Sequence, residues 1–188
     1  MKKLMLVLVL LTFAFLYFGC NESPTNLTGS EPVQQEQDCI FLPFHGNLEG
    51  VAISLSDPYT PPVMKQNTFS GRALHTGRYS CVLKYWITYN QTFTGGTLYG
   101  IDGIDAVLVA ANGDKIKFDN SAGVWSFRNG NPNVPGIIDG TFHAEIVGGT
   151  GRFKHASGYI DAVVEQEYTP GVDPTPTNGH WTGKIKYW

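Results

Sequence analysis

Ionisable side chains recur two or four residues apart at two places in the chain, where an extended strand would put them on one face. His143 and Glu145 form the first group, and Asp161, Glu165 and Glu167 lie in the second. A metal ion would need a third ligand, and no other histidine stands at a ligand spacing. A carboxyl group acting as a general acid would have to be buried. Because apolar residues fill the alternating positions of both segments, we expect a solvated outer face, no catalytic residue, no metal site and no cofactor.

Apolar and aromatic side chains have a more distinctive spacing. Between residues 79 and 89 they occupy every second position, which predicts a strand with one buried face. In a barrel this face would line the interior, and an eight-stranded barrel either fills its interior with side chains or holds one small ligand. The sequence leaves both alternatives open. The predicted ligand-binding residues are Tyr79, Leu83, Tyr85 and Ile87.

Short strands joined by turns would position these faces. The chain has 22 Gly and 11 Pro, which supply turn geometry, and Asn112-Gly113 between two apolar runs predicts a type I′ hairpin. About eight strands with no covering helix predict an all-β fold, a small closed antiparallel β-barrel over residues 39–188 whose last strand pairs with its first. The segments that read as extended are 40–51, 72–76, 79–89, 97–101, 104–111, 115–118, 124–127, 137–147, 158–168 and 181–188, with loops at 129–136 and 170–179.

The N-terminus has the features of an export signal. Two lysines precede an apolar run over residues 4–18, which is short for a membrane span and ends at Gly19-Cys20, a pair that resembles a bacterial lipobox. We therefore predict a lipoprotein signal peptide over 1–19, a lipid on Cys20 and a polar, disordered tether over 20–38. The predicted location is the cell envelope, lipid-anchored at the outer membrane. A plain secretory signal, which would leave the protein periplasmic or secreted, and an uncleaved anchor are the alternatives.

Net charge and cysteine content limit the partners. The formal net charge is −3, and removal of residues 1–19, which hold two lysines and no acidic residue, makes it −5. A nucleic-acid partner is therefore not expected, because such binding needs an excess of Lys and Arg. If Cys20 carries a lipid, Cys39 and Cys81 remain in an oxidising compartment. A disulfide between them and two separate buried thiols are both compatible with the sequence.

A glycine-rich motif joins two of the predicted strands. Gly148, Gly149 and Gly151 permit backbone conformations closed to other residues, so the motif predicts a tight bend and not a phosphate-binding loop, because no helix N-terminus follows it. Arg152 would donate hydrogen bonds to loop carbonyls, and Phe153 would plug one end of the barrel. These five residues are assigned a structural role.

The same motif carries a family resemblance. Together with 156–158, 73–77 (ALHTG) and 111–114 (ANGD), residues 148–153 (GGTGRF) resemble the allene oxide cyclase barrel-like family, which has dirigent relatives, and this chain resembles a bacterial lipoprotein member of it. The resemblance implies a small antiparallel barrel and, through the plant enzymes, cyclisation of an unstable fatty-acid epoxide. It carries over no catalytic residue, because His45 stands where those enzymes have Glu and Glu49 is displaced.

Three functions remain open. The first is a non-catalytic binding or scaffold module for a small apolar ligand at the envelope. The second is an isomerase or cyclase that shapes a reactive apolar substrate inside the barrel, where a cavity that fixes conformation is the main requirement. The third is an oligomeric structural protein that presents Trp86, Trp125 or Trp188 at an interface. A cavity of at least ~300 Å³ would favour the first two.

Overall fold

The computed structural model describes residues 40–101, 103 and 105–187. The predicted signal peptide, the tether, Cys20 and Cys39 lie outside these residues. The described chain forms nine strands and one short 3-10 helix, Gly151–Phe153. The strands are β1 Leu42–Ser54, β2 Val63–Ala73, β3 Gly77–Ile87, β4 Gly95–Gly100, β5 Ala106–Ala110, β6 Lys115–Phe127, β7 Gly136–Gly149, β8 Ser157–Tyr168 and β9 Thr175–Lys186.

The strands close into an antiparallel barrel. Each pairs with its neighbours in the order β2-β1-β9-β8-β7-β6, and β3 pairs with β2 to complete the ring. β4 and β5 lie one after the other between β3 and β6, so together they fill a single place. The barrel therefore has eight places, and the predicted all-β closed barrel of about eight strands is confirmed. The pairing of β1 with β9 leaves no open sheet edge.

Side-chain alternation accounts for most of these strands. In β3 the predicted face points inward: Tyr79, Leu83, Tyr85 and Ile87 are buried, whereas the residues between them are exposed or half-buried. In β8 the inward face includes Ile160 and Ala162. Burial of alternate apolar residues thus selects both the strand conformation and the face that each strand turns inward.

Several element boundaries differ from the predicted ones. β2 begins at Val63 and not at residue 72, and β9 begins at Thr175 inside the segment predicted as a loop. The predicted strands 115–118 and 124–127 are one strand, β6, interrupted by a bulge. The Asn112-Gly113 hairpin is present, but only Gly113 has a positive φ, +88°, so the turn is not type I′.

One end of the barrel, here called the closed end, is filled by side chains. Phe44, Ile116 and Phe153 are fully buried there, and Phe153 comes from the glycine-rich bend. Gly148 and Gly151 have φ of +122° and +56°. A Cβ on Gly151 would also lie 1.8 Å from a carboxylate oxygen of Asp114. The bend therefore needs glycine at these two positions.

The three motifs behind the family resemblance meet at the closed end. The Arg152 guanidinium donates to the backbone carbonyl of His75 and lies 3.8 Å from the carboxylate of Asp114. It also covers the ring of Phe153, with 4.7 Å between the guanidinium carbon and the ring centroid. One arginine thus ties the loops β2–β3, β5–β6 and β7–β8 together over the plug.

The break between β4 and β5 faces the bulge of β6. Asp105 is buried in the break, and its carboxylate Oδ2 accepts a hydrogen bond of 2.7 Å from the backbone N–H of Ser121 in the bulge. Its own backbone continues the ladder, because Lys84 N–H donates to the Asp105 carbonyl at 3.0 Å. The carboxylate therefore supplies the acceptor that the bulged strand lacks.

Replacing Asp105 with Ala is expected to lower the free energy of unfolding by about 2 kcal/mol, because the Ser121 N–H would remain buried without an acceptor. Urea denaturation of both proteins measures the difference. Asp161→Ala is the matched control: this carboxylate is exposed and pairs with His143 at 2.8 Å, so the change should stay within about 0.5 kcal/mol. Equal losses in the two variants would contradict the role given to Asp105.

Candidate functional site

The half of the barrel opposite the closed end is hollow. It contains a cavity of about 620 Å³, lined by inward side chains of the strands and by the loops 55–62, 88–94, 128–135 and 169–174. All four loops lie at the same end of the barrel, here called the open end. A cavity of this size is within the range that holds small organic ligands. The sequence left open whether the interior is filled with side chains or holds a cavity. The structure has a cavity at the open end.

One wall of the cavity is aromatic, and its rings contact each other edge to face. Tyr89 lies 5.2 Å from Trp125 between ring centroids, Trp125 5.6 Å from Phe127, and Phe127 4.8 Å from Tyr168. Such contacts hold each ring in a defined orientation. The aromatic wall thus runs from the loop after β3, through β6, to the end of β8.

The polar atoms of these rings bind the loops at the open end. Trp125 Nε1 donates to the carbonyl of Thr88 at 3.1 Å, and the Tyr168 hydroxyl donates to the carbonyl of Pro132 at 2.9 Å. The Tyr89 hydroxyl donates to the carbonyl of Pro58 at 3.2 Å. The rings are thus anchored through their polar ends, and their carbon surfaces remain for contact with a ligand.

A second part of the lining, the polar wall, is formed by side chains of β2, β3, β8 and β9. The Tyr85 hydroxyl donates to Asn67 Oδ1 at 3.0 Å, and Gln166 Nε2 donates to Thr175 Oγ1 at 2.6 Å. Thr177 Oγ1 donates to the Thr175 carbonyl at 3.4 Å. The cavity therefore has two chemically different walls, and a ligand with one polar end has one preferred orientation inside it.

Lys65 is the residue in this wall that sequence reasoning missed. It lies on the inward face of β2 between the buried Val63 and Asn67. No hydrogen bond from its amine to any described residue is present. Burial lowers the pKa of the Lys65 amine below its usual value, while the negative charge of Asp173 acts in the opposite direction. The hydrophobic pattern of the sequence did not reveal it, because the apolar Met64 faces outward and the charged Lys65 faces inward, which reverses the usual alternation.

The four predicted ligand-binding residues separate into two groups. Leu83, Tyr85 and Ile87 line the large cavity. Tyr79 lies nearer the closed end, where its hydroxyl donates to the Asn47 carbonyl at 2.8 Å and accepts from Trp181 Nε1 at 3.1 Å. Tyr79 and Leu83 also border a second, apolar cavity of about 40 Å³. The assignment of these residues to ligand binding stays a prediction, and the geometry supports it best for the three at the large cavity.

Cys81 lies on the inward face of β3 beside the small cavity, and it forms no disulfide with any described residue. Burial raises the pKa of its thiol to about 12. Its proposed disulfide partner, Cys39, lies outside the described residues, so that pairing stays a prediction. The high pKa makes this thiol a poor nucleophile and a small apolar core group.

The ionisable side chains in segments 143–145 and 161–167 lie on the outer surface. His143 pairs with Asp161, and Glu165 accepts a hydrogen bond from Arg128, which also binds Asp139. None of these side chains lines the large cavity. Among the described residues, no group of three or more His, Cys, Asp or Glu side chains is arranged to hold a metal ion.

No family model and no curated protein matches this chain. Two solved structures to which it is similar are the pterocarpan synthase dirigent proteins PsPTS1 and GePTS1. The match to PsPTS1 has 12% identity and a TM-score of 0.44, and covers 79% of this chain and 97% of the other. The match to GePTS1 has 16% identity and a TM-score of 0.43, and covers 88% and 100%.

Proposed function

We propose that this protein binds a small apolar molecule inside its barrel, at the cell envelope, where a lipid on Cys20 anchors it. The observation that carries the proposal is the cavity of about 620 Å³ at the open end. A purely structural scaffold would be expected to fill its interior with side chains, because empty apolar volume weakens a core. A ligand of matching size recovers the missing contacts.

The composition of the walls supports an apolar ligand. Edge-to-face aromatic rings form one side, and a small number of polar groups on the other side would fix the ligand's orientation. The interlocked rings lose little conformational freedom when a ligand enters, so less of the binding free energy is spent on ordering the site.

The anchor is proposed from the sequence. The lipobox-like Gly19-Cys20 follows a positively charged start and an apolar run, and the polar residues 21–38 provide a spacer. In the part of the chain that the structure describes, no helix is long and apolar enough to cross a bilayer. Mass spectrometry of the N-terminal peptide tests the anchor: a diacylglyceryl group on Cys20 is expected, and an unmodified Cys20 on the mature protein would contradict it.

Ligand binding is tested by native mass spectrometry of the full-length protein released from detergent micelles. The expected result is a bound small apolar molecule that organic extraction removes. The same protein in lipid nanodiscs should then bind the dye N-phenylnaphthylamine with saturation, above the signal of empty nanodiscs. A protein that carries no adduct and shows no saturable binding would contradict the proposal.

An isomerase or cyclase is the second candidate, and the polar wall is the observation that favours it. Hydrogen-bonding groups opposite an aromatic wall would hold a reactive molecule in one conformation. Conversion of a bound ligand to a rearranged product would support this candidate. The oligomeric structural function stays a prediction, but Trp125 cannot present itself at an interface, because its side chain is buried in the cavity wall.

A further inference from the structure

Lys65 differs from every other side chain in the cavity wall. It is the one cationic residue among the described residues that line the large cavity, and Asp173 is the one acidic residue. Asp173 accepts a hydrogen bond of 2.8 Å from the backbone N–H of Ser54 and lies outside ion-pair distance of Lys65. The amine therefore faces the cavity with no partner that would keep it charged at close range.

We propose that Lys65 is a nucleophile that captures an apolar aldehyde in the cavity as a reversible imine. The amine nitrogen attacks the carbonyl carbon, and the carbonyl oxygen takes up a proton as the nitrogen loses one. The resulting carbinolamine then loses water to form the C=N bond. No oxidant or reductant is consumed, and hydrolysis regenerates both reactants. The inference rests on the proposed function, because the aldehyde must first enter the cavity.

The surroundings of Lys65 favour this chemistry. Attack requires the neutral amine, and burial shifts Lys65 towards that form. A neutral imine is also cheaper than an ammonium ion to keep opposite Tyr85, with Leu83 and Ile87 on either side of it on β3, because no charge remains to be solvated. Asn67 lies two residues away on the same face of β2, where its amide NH₂ is free to donate to the carbonyl oxygen.

An aldehyde fits the charges better than a carboxylate does. When Lys65 is charged it balances Asp173, and when it is neutral Asp173 leaves the lining negative, so in neither state does the lining have a net positive charge to attract an anion. Asp173 would in addition repel a carboxylate held at the amine, whereas a neutral carbonyl group meets no such penalty. The apolar body of the aldehyde would then lie against the aromatic wall.

The test uses full-length protein in phosphatidylcholine nanodiscs, limiting decanal and sodium cyanoborohydride, followed by peptide mapping. Lys65 is expected to gain the mass of the aldehyde less one oxygen, about tenfold faster than the exposed Lys84 on the next strand, because the cavity concentrates and orients the aldehyde. The variant Lys65→Arg should lose this fast label, and Lys84→Arg should keep it. Decanol, which binds without reacting, should slow the labelling of Lys65 by decanal.

The outcomes separate the inference from the proposed function. Labelling of Lys65 no faster than Lys84, while decanol still raises the melting temperature, would overturn the imine and leave ligand binding intact. Protection of Lys65 by decanoate more strongly than by decanol would also overturn it, since the amine would then bind a carboxylate. If decanol neither binds nor protects, the proposed function itself fails.

Discussion

Replacing Gly140 with Phe is expected to abolish ligand binding while leaving the barrel folded. Gly140 lies on the inward face of β7 and lines the large cavity. A Cβ at this position would meet its nearest neighbour, a methyl group of Val164, at 3.7 Å, which is ordinary contact. The phenyl ring would then project into the space that a ligand needs. Overlap with the ligand should weaken binding by about 100-fold or more.

Dye titration of the full-length variant in nanodiscs measures the loss, and thermal unfolding checks the fold. Val124→Phe is the matched control, because it adds a ring of the same size to the exposed outer face of the neighbouring strand β6. That variant should bind the dye like the unchanged protein. Binding that survives in Gly140→Phe would place the ligand outside the cavity and would count against the proposed function.

Raising the pH from about 9 to about 12 is expected to unfold the barrel progressively. Burial raises the pKa of the Tyr79 hydroxyl from 10.0 to about 12 and that of the Cys81 thiol from 9.0 to about 12, and it raises the pKa of Tyr85 further. Above their ordinary pKa values these groups lose protons in the unfolded chain but keep them in the folded one. The unfolded state then binds fewer protons, so stability falls as pH rises.

The size of this effect follows from the number of buried groups. Each group contributes its full stabilisation below the pKa that it has in the unfolded chain. Between that pKa and the pKa in the folded protein, its contribution to the free energy of unfolding falls by about 1.4 kcal/mol per pH unit. Urea denaturation at pH 8, 10 and 11 would measure the slope. Tyr79→Phe should make the slope shallower, whereas Tyr99→Phe, which removes the hydroxyl of an exposed tyrosine, should not. Equal slopes in both variants would show that folding does not raise the pKa of Tyr79.

Much of the fold is encoded in local patterns that one segment reveals by itself. The inward face of β3 and the alternation of β7 and β8 follow from apolar residues at every second position, since one buried sheet face requires that period. The glycine-rich bend is also local, because glycine permits the positive φ that Gly148 and Gly151 adopt. From these elements a closed all-β barrel could be predicted.

The candidate site was predicted only in part. Leu83, Tyr85 and Ile87 were assigned to it from the pattern of β3, but Lys65 was missed. β2 has no amphipathic period, since its inward residues Lys65 and Asn67 are polar and Met64 faces outward. A polar residue is stable in such a place only where a cavity or a partner group meets it, and no single segment reveals that.

The amino-acid sequence by itself determined that the chain after residue 39 forms an antiparallel barrel and which face of its clearest strands is buried. Only the tertiary structure decided that the barrel is filled at the closed end and hollow at the open end. The physical reason is that a cavity depends on the summed volumes of inward side chains from all eight places. Phe153 and Phe44 are buried at one end, whereas Gly140 and Lys65 border the space at the other.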